Sequence, residues 1–201
     1  AAGGYYYAPG SGHSLADELR RYQDMGYQSF KMKIGGASLQ ADMQRIEEAL
    51  SVAGAGHRLA VDANGRFDWP TAQAYAQAMA GYGLRWFEEA GDPLDYDLNR
   101  AVVAMGLSPV ATGENLFSCQ DVRNLMRFGG MRPGLDVFQM DPGLSYGLTE
   151  YLRMIEALEQ AGFSRRSGLR ARDGFGPVGP WLVTRDEVAN PQKLNMWLDL
   201  N

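Results

Sequence analysis

Histidine and cysteine are scarce in this chain of 201 residues, with two of the first and one of the second. A single cysteine, Cys119, cannot close an internal disulfide. That fits a reducing compartment, and a cytoplasmic location is the expectation. The histidines sit badly for catalysis: His13 falls in a loop after the first strand signal, and His57 precedes a strand, at the wrong end of the sheet. Long apolar runs are missing too. None approaches the ~20 residues of a membrane span, so no membrane partner is expected. The start, AAGGYYYAPG, lacks the basic and apolar regions of a signal peptide, has no initiator Met and reads like mid-domain sequence. Positive charge is outnumbered, 19 Lys and Arg against 24 Asp and Glu, for a net charge of −5. Nothing there invites nucleic acid. An anionic substrate would have to be held by local lysines and a metal. The length falls short of the about 250 residues that a complete β/α barrel usually takes.

What is present is a regular alternation of strand and helix signals. Ala1–Tyr7 reads as the end of a strand. Ser14 caps a helix over LADELRRYQDM, which Gly26 stops, and a strand over Tyr27–Ile34 follows. Ser38 opens the helix LQADMQRIEEALSVAG, whose Leu39, Met43, Ile46 and Leu50 form one apolar face. Strands over Arg58–Ala63, Leu84–Glu88, Pro109–Gly113 and Leu135–Met140 come next. Helices are predicted between them, from Pro70, over about Asp95–Met105 and about Cys119–Phe128, and a last one over about Leu148–Ala161. Six strands, each followed by a helix, predict an α/β protein: a parallel sheet forming an incomplete (β/α) barrel.

The chemistry lies at the strand ends. Asp62 in LAVDAN, Glu88 in LRWFEE and Glu114 in PVATGEN each close an apolar run, at two equal steps of 26 residues. One strand, its helix and two loops occupy about that much chain, so the three carboxylates fall at one edge of the sheet. In a β/α barrel that edge carries the active site. Three carboxylates there would repel one another without a cation, and an all-oxygen cage suits Mg2+. Lys31 and Lys33 form a K-x-K on the preceding strand and point to one face. Two close ammonium groups are expected to lower each other's pKa, which would suit a lysine to take a proton from carbon. Asn64, two past Asp62, would touch substrate or metal-bound water, or simply turn the chain before Gly65. Glu89 would face away from the barrel axis as an ion-pair partner. Asp141 would orient an acid or base on the next strand, or cap a loop before Pro142.

Taken together, KMKIGGA, LAVDANGRF, FEEAGDPLDYDLN, ATGENLF and DPGLSYGLTEY resemble the enolase superfamily, in its mandelate racemase branch, and within it most closely the D-tartrate dehydratase family. The resemblance covers about residues 1–166. It implies an enolase-type barrel in which Lys33 is the general base, Lys31 its partner, and Asp62, Glu88 and Glu114 bind Mg2+. It further implies that Asp141 is the aspartate of a His–Asp dyad. Such enzymes remove the proton α to the carboxylate of a hydroxy acid, lose the β-hydroxyl and yield a keto acid. Two departures stand out. No counterpart of the family's N-terminal capping domain is expected, since the sequence reads as starting inside the first barrel strand. The dyad histidine should stand about 30 residues past Asp141, where Ala171 is found and RSGLRARD holds no histidine.

After Gly162 the pattern changes. SRRSGLRARDGFGPVGPW is basic and then rich in Gly and Pro, while WLVTRDEVANPQ and LNMWLDLN look like short strands. Residues from about 171 to 201 resemble a segment of the fumarylacetoacetate hydrolase family, without that family's upstream Glu-x-Glu ligands and with Arg170 or Arg172 near where a lysine is usual. Two regions are therefore expected, a partial barrel over 1–166 and a β-rich tail of other origin over 167–201, joined near Ser167. Three functions compete: a Mg2+-dependent hydroxy-acid dehydratase impaired by the missing cap and histidine; a non-catalytic metal-binding remnant or fusion product; and a hydrolase or lyase of the fumarylacetoacetate type. The expected partner is a small hydroxy acid, and open sheet edges would favour a homo-oligomer.

Overall fold

The computed structural model describes residues 1–8 and 10–163. The tail resemblance, Ala171 and the junction near Ser167 lie outside the described residues. Six strands form one sheet: β1 (Ala2–Gly3), β2 (Phe30–Lys33), β3 (Leu59–Asp62), β4 (Phe87–Glu88), β5 (Val110–Thr112) and β6 (Val137–Phe138). They lie in chain order and every neighbouring pair is parallel. Helices follow each strand: α1 (Leu15–Asp24), α2 (Leu39–Ala53), α3 (Trp69–Met79), α4 (Tyr96–Met105), α5 (Cys119–Phe128) and α6 (Leu148–Gln160). Among the described residues this is an arc of a β/α barrel, with β1 and β6 at its edges.

Local chemistry sets the helix ends. Ser14, Ser38, Asp68 and Asp95 each accept a hydrogen bond from a first-turn N–H, of Asp17, Ala41, Thr71 and Leu98 respectively. Gly54 and Gly106 end α2 and α4 in the left-handed conformation that glycine adopts without strain. Strand β2 alternates buried Phe30 and Met32 with half-buried Lys31 and Lys33. One of its faces thus packs against the helices, where Ile46, Ala49 and Ala53 of α2 are buried, and the other carries the lysines.

The strands are shorter than the apolar runs suggest, most clearly at β6. Asp136, fully buried, stands just before it. Its carboxylate accepts from Val110 N–H at 2.8 Å, and from the Arg132 N–H at 2.7 Å and the Arg132 guanidinium. A side chain thus takes the β5 donor that a longer ladder would have used.

A second buried acid fixes the loops at the opposite, C-terminal edge. Asp42 of α2 accepts from Tyr6 Oη (2.6 Å), Gly35 N–H (2.6 Å), Tyr75 Oη (2.8 Å) and Arg45 Nη1 (2.9 Å). Arg45 lies over the Tyr6 ring at 3.8 Å and donates to Gly4 O. The loops after β1 and β2 are thereby held to α2 and α3.

Helix α5 opens with a reciprocal cap: Ser118 Oγ accepts from Asp121 N–H at 3.2 Å, and Asp121 Oδ2 accepts from Ser118 N–H at 2.9 Å. Ser118→Ala is expected to lower stability by about 1 kcal/mol in urea denaturation. No measurable loss would mean that α5 is positioned by packing alone.

Candidate active site

Strand register brings three of the predicted residues together. Lys33 pairs with Asp62, and Asp62 with Glu88, so the three stand level across β2, β3 and β4 at the C-terminal edge. Paired residues of parallel strands project to the same face. Lys31 Nζ lies 2.5 Å from Glu88 Oε1 and 3.0 Å from Asp62 Oδ2, and Lys33 Nζ lies 2.6 Å from Asp62 Oδ2. The two carboxylates are almost wholly buried, with side-chain exposures of 2% for Asp62 and 1% for Glu88. Trp86 Nε1 donates to Glu88 Oε2 at 2.9 Å and Asn64 N–H to Asp62 Oδ1 at 2.9 Å. Gln139, just past β6, lies near enough to Glu88 to favour its ionised form.

Burial and charge compete at each group. Burial by itself would lower the Lys31 pKa, but Glu88 and Asp62 outweigh it and hold the ammonium above its ordinary value. The expectation that the lysine pair lowers each other's pKa is corrected for Lys31: its nearest charges are carboxylates. Burial pushes Asp62 up, yet Lys31 and the lysine hydrogen bonds bring it below the usual range. Burial prevails at Glu88, where the neighbouring Asp62 adds to it, and its pKa is raised.

Glu114 follows β5 at the same edge, and its charge acts on Glu89. Glu89 is buried, accepts from Asn115 Nδ2 at 3.0 Å, and has a φ of 40°. The expectation that it faces outward as an ion-pair partner assumed extended backbone. At positive φ the strand has already ended, so face alternation no longer applies, and the partner found is an amide. Burial, then Glu114, pushes the Glu89 carboxyl up to about 7. The folded chain therefore holds this proton more tightly than the unfolded chain. Stability is expected to fall as pH rises from about 4.5 to about 7, by about 3 kcal/mol, and then to level off. In metal-free urea titrations at pH 5 and pH 8, Glu89→Gln should remove that part of the slope; parallel slopes would refute it.

Two further predicted residues take local roles. Asn64 is exposed at φ 51° and turns the chain into Gly65 at φ 68°. Asp141 follows β6, and its Oδ1 accepts from Gly143 N–H at 2.6 Å, shaping the loop that its carbonyl also closes through Ser145. His13 is exposed against the Tyr7 ring (5.5 Å between centroids), and His57 is exposed in a turn before β3, at the far end of the sheet. Cys119 is half-buried at the start of α5. Sequence reasoning passed over Trp86 and Gln139. A Gln inside the apolar run VFQM was the available signal.

The donor set can be tested against a metal on its chemistry. Among the described residues no three acidic, histidine or cysteine side chains are gathered closely enough to cage an ion. The cation between Asp62 and Glu88 is the Lys31 ammonium. Buried carboxylate oxygens nonetheless suit a hard divalent ion, and one entering there would displace that ammonium.

Residues 14–166 match the family described as enolase C-terminal domain-like, and the chain belongs to that family. It is 28% identical over 153 residues to arabinonate dehydratase of Saccharolobus solfataricus, which covers 76% of this chain and 40% of that one. A mandelate racemase/muconate lactonizing enzyme from a marine actinobacterium, solved in complex with magnesium, superposes with a TM-score of 0.72 at 33% identity, over 82% of this chain and 45% of that one. L-Talarate dehydratase from Polaromonas sp. JS666, complexed with Mg and L-glucarate, gives a TM-score of 0.65 at 27% identity, over 77% and 43%. The chain thus spans less than half the length of these relatives. No helix among the described residues is long and apolar enough to cross a membrane.

Proposed function

We propose that the chain carries the base and metal-binding half of a Mg2+-dependent hydroxy-acid dehydratase. The observation that carries this reading is the level row of Lys33, Asp62 and Glu88, with Lys31 bridging the two buried carboxylates. Asp62, Glu88 and Glu114 would hold the ion. Bound magnesium would supply Lewis-acid stabilisation of charge developing on the substrate carboxylate. Lys33 Nζ would take the proton α to that carboxylate, and Lys31, once released from Glu88, would offset the substrate's negative charge. Asp62, turned by Asn64 N–H and both lysines, orients that pair. Among hydroxy acids, the motif resemblance favours D-tartrate, with oxaloacetate as product, and the relatives' names favour acid sugars more broadly.

A second reading is favoured by one observation: the Lys31 ammonium already neutralises the carboxylates, as it would in a folded chain that binds a divalent ion without turnover. Incubation of the full chain with D-tartrate in D2O separates the two. Mg2+-dependent exchange of the α-proton, seen by NMR and abolished by EDTA, is expected. Calorimetric Mg2+ binding without any exchange would leave the binding reading, and no Mg2+ binding would sink both.

A further inference from the structure

The interior face of the site contains one polar atom that the proposed ligands and base leave unexplained. Gln139 is 7% exposed, and its Oε1 is buried without a hydrogen-bond partner among the described residues. Its N–H donates to Thr112 O at 2.9 Å, which fixes it as a continuation of β6. From there its side chain reaches Glu88 across β5. Ala111, paired with both Glu88 and Val137, and Gly113 just beyond it have no side chain long enough to intervene. Because Oε1 is the atom without a partner, the amide nitrogen is the end turned to Glu88, and Oε1 is the end left over. A buried acceptor without a donor is costly, and native structures rarely keep one without a use.

We infer that Gln139 is a positioning residue of the cation site, donating to Glu88 through its amide nitrogen and accepting, through Oε1, a hydrogen bond from water carried by the bound ion. This rests on the magnesium reading above. Mg2+ dehydrates reluctantly and keeps several waters, each a donor in need of an acceptor. Outer partners of this kind typically contribute about 10–100-fold to metal affinity. Methionine at this position would match the length of the side chain while removing donor and acceptor together.

The test is calorimetric titration of the full chain with MgCl2, with thermal melts in EDTA. Gln139→Met is expected to bind Mg2+ at least about tenfold more weakly, with a metal-free Tm unchanged or raised because the orphan acceptor is gone. Unchanged affinity would overturn the inference. Gln139→Glu keeps a buried acceptor and decides the matter if the Met variant fails to fold or melts lower without metal. It is expected to bind Mg2+ at least as tightly as the unaltered chain, and tenfold weaker binding would overturn the proposal. If the unaltered chain binds no Mg2+, the magnesium reading and this inference fall together. If it binds and Gln139→Met binds equally well, only this inference falls.

Discussion

Lys33→Met is expected to slow Mg2+-dependent α-proton exchange by about 10²–10⁴-fold, the usual contribution of a positioned general base, while leaving the fold intact. The two lysines are not equivalent. Lys31 bridges Glu88 and Asp62, whereas Lys33 pairs only with Asp62 among the described residues and is the more exposed, at 20% against 15%. Removing Lys33 leaves Asp62 paired with Lys31 and with Asn64 N–H, so no buried charge is stranded. The loss should therefore appear in chemistry and hardly in stability. NMR of D-tartrate in D2O gives the exchange rate, and urea denaturation gives the stability. Exchange persisting at the unaltered rate would assign the base elsewhere, and a collapse of stability would make Lys33 a structural residue.

Much of this site was legible in the chain because strand periodicity is short and rigid. Equal 26-residue steps pointed to Asp62, Glu88 and Glu114 at one edge, and K-x-K spacing to Lys31 and Lys33 on one face; the register sets Lys33, Asp62 and Glu88 level, while Glu114 lies three residues beyond Ala111, the partner of Glu88, and past the end of β5. Helix caps at Ser14 and Ser38 were readable for the same reason, since a cap depends on neighbours three residues away. What escaped depends on distance across the sheet. The reach of Gln139 to Glu88 spans 51 residues and two strand steps, and the Asp42 cluster gathers Tyr6, Gly35, Arg45 and Tyr75 from four segments. Glu89 was misread because a single residue at φ 40° ends the alternation on which face assignment rests. The pKa direction at Lys31 was misread because the nearer lysine in sequence is not the dominant charge in space.

The same inequality between the lysines makes Lys31→Met the more damaging of the two changes to the metal-free fold. Glu88 would keep Trp86 Nε1 but lose the ammonium at 2.5 Å, the nearest cation to its buried carboxylate among the described residues. Breaking one side of such a pair typically costs about 3–5 kcal/mol. Two conditions should reduce the loss. In acid, Glu88 can take a proton instead of staying ionised where the ammonium was; its pKa, already raised by burial, would rise further without Lys31. The variant's deficit should therefore be largest at neutral pH and shrink as pH falls. In Mg2+, the variant has no ammonium to displace, so ion binding should be tighter, and about 100-fold excess over Kd would return about 2.7 kcal/mol. Urea denaturation of both chains at pH 5 and pH 8, each with EDTA or MgCl2, separates these effects. A deficit independent of pH and magnesium would mean that Lys31 contributes through packing of its methylenes, and the carboxylate pair would then need no cation to stay buried.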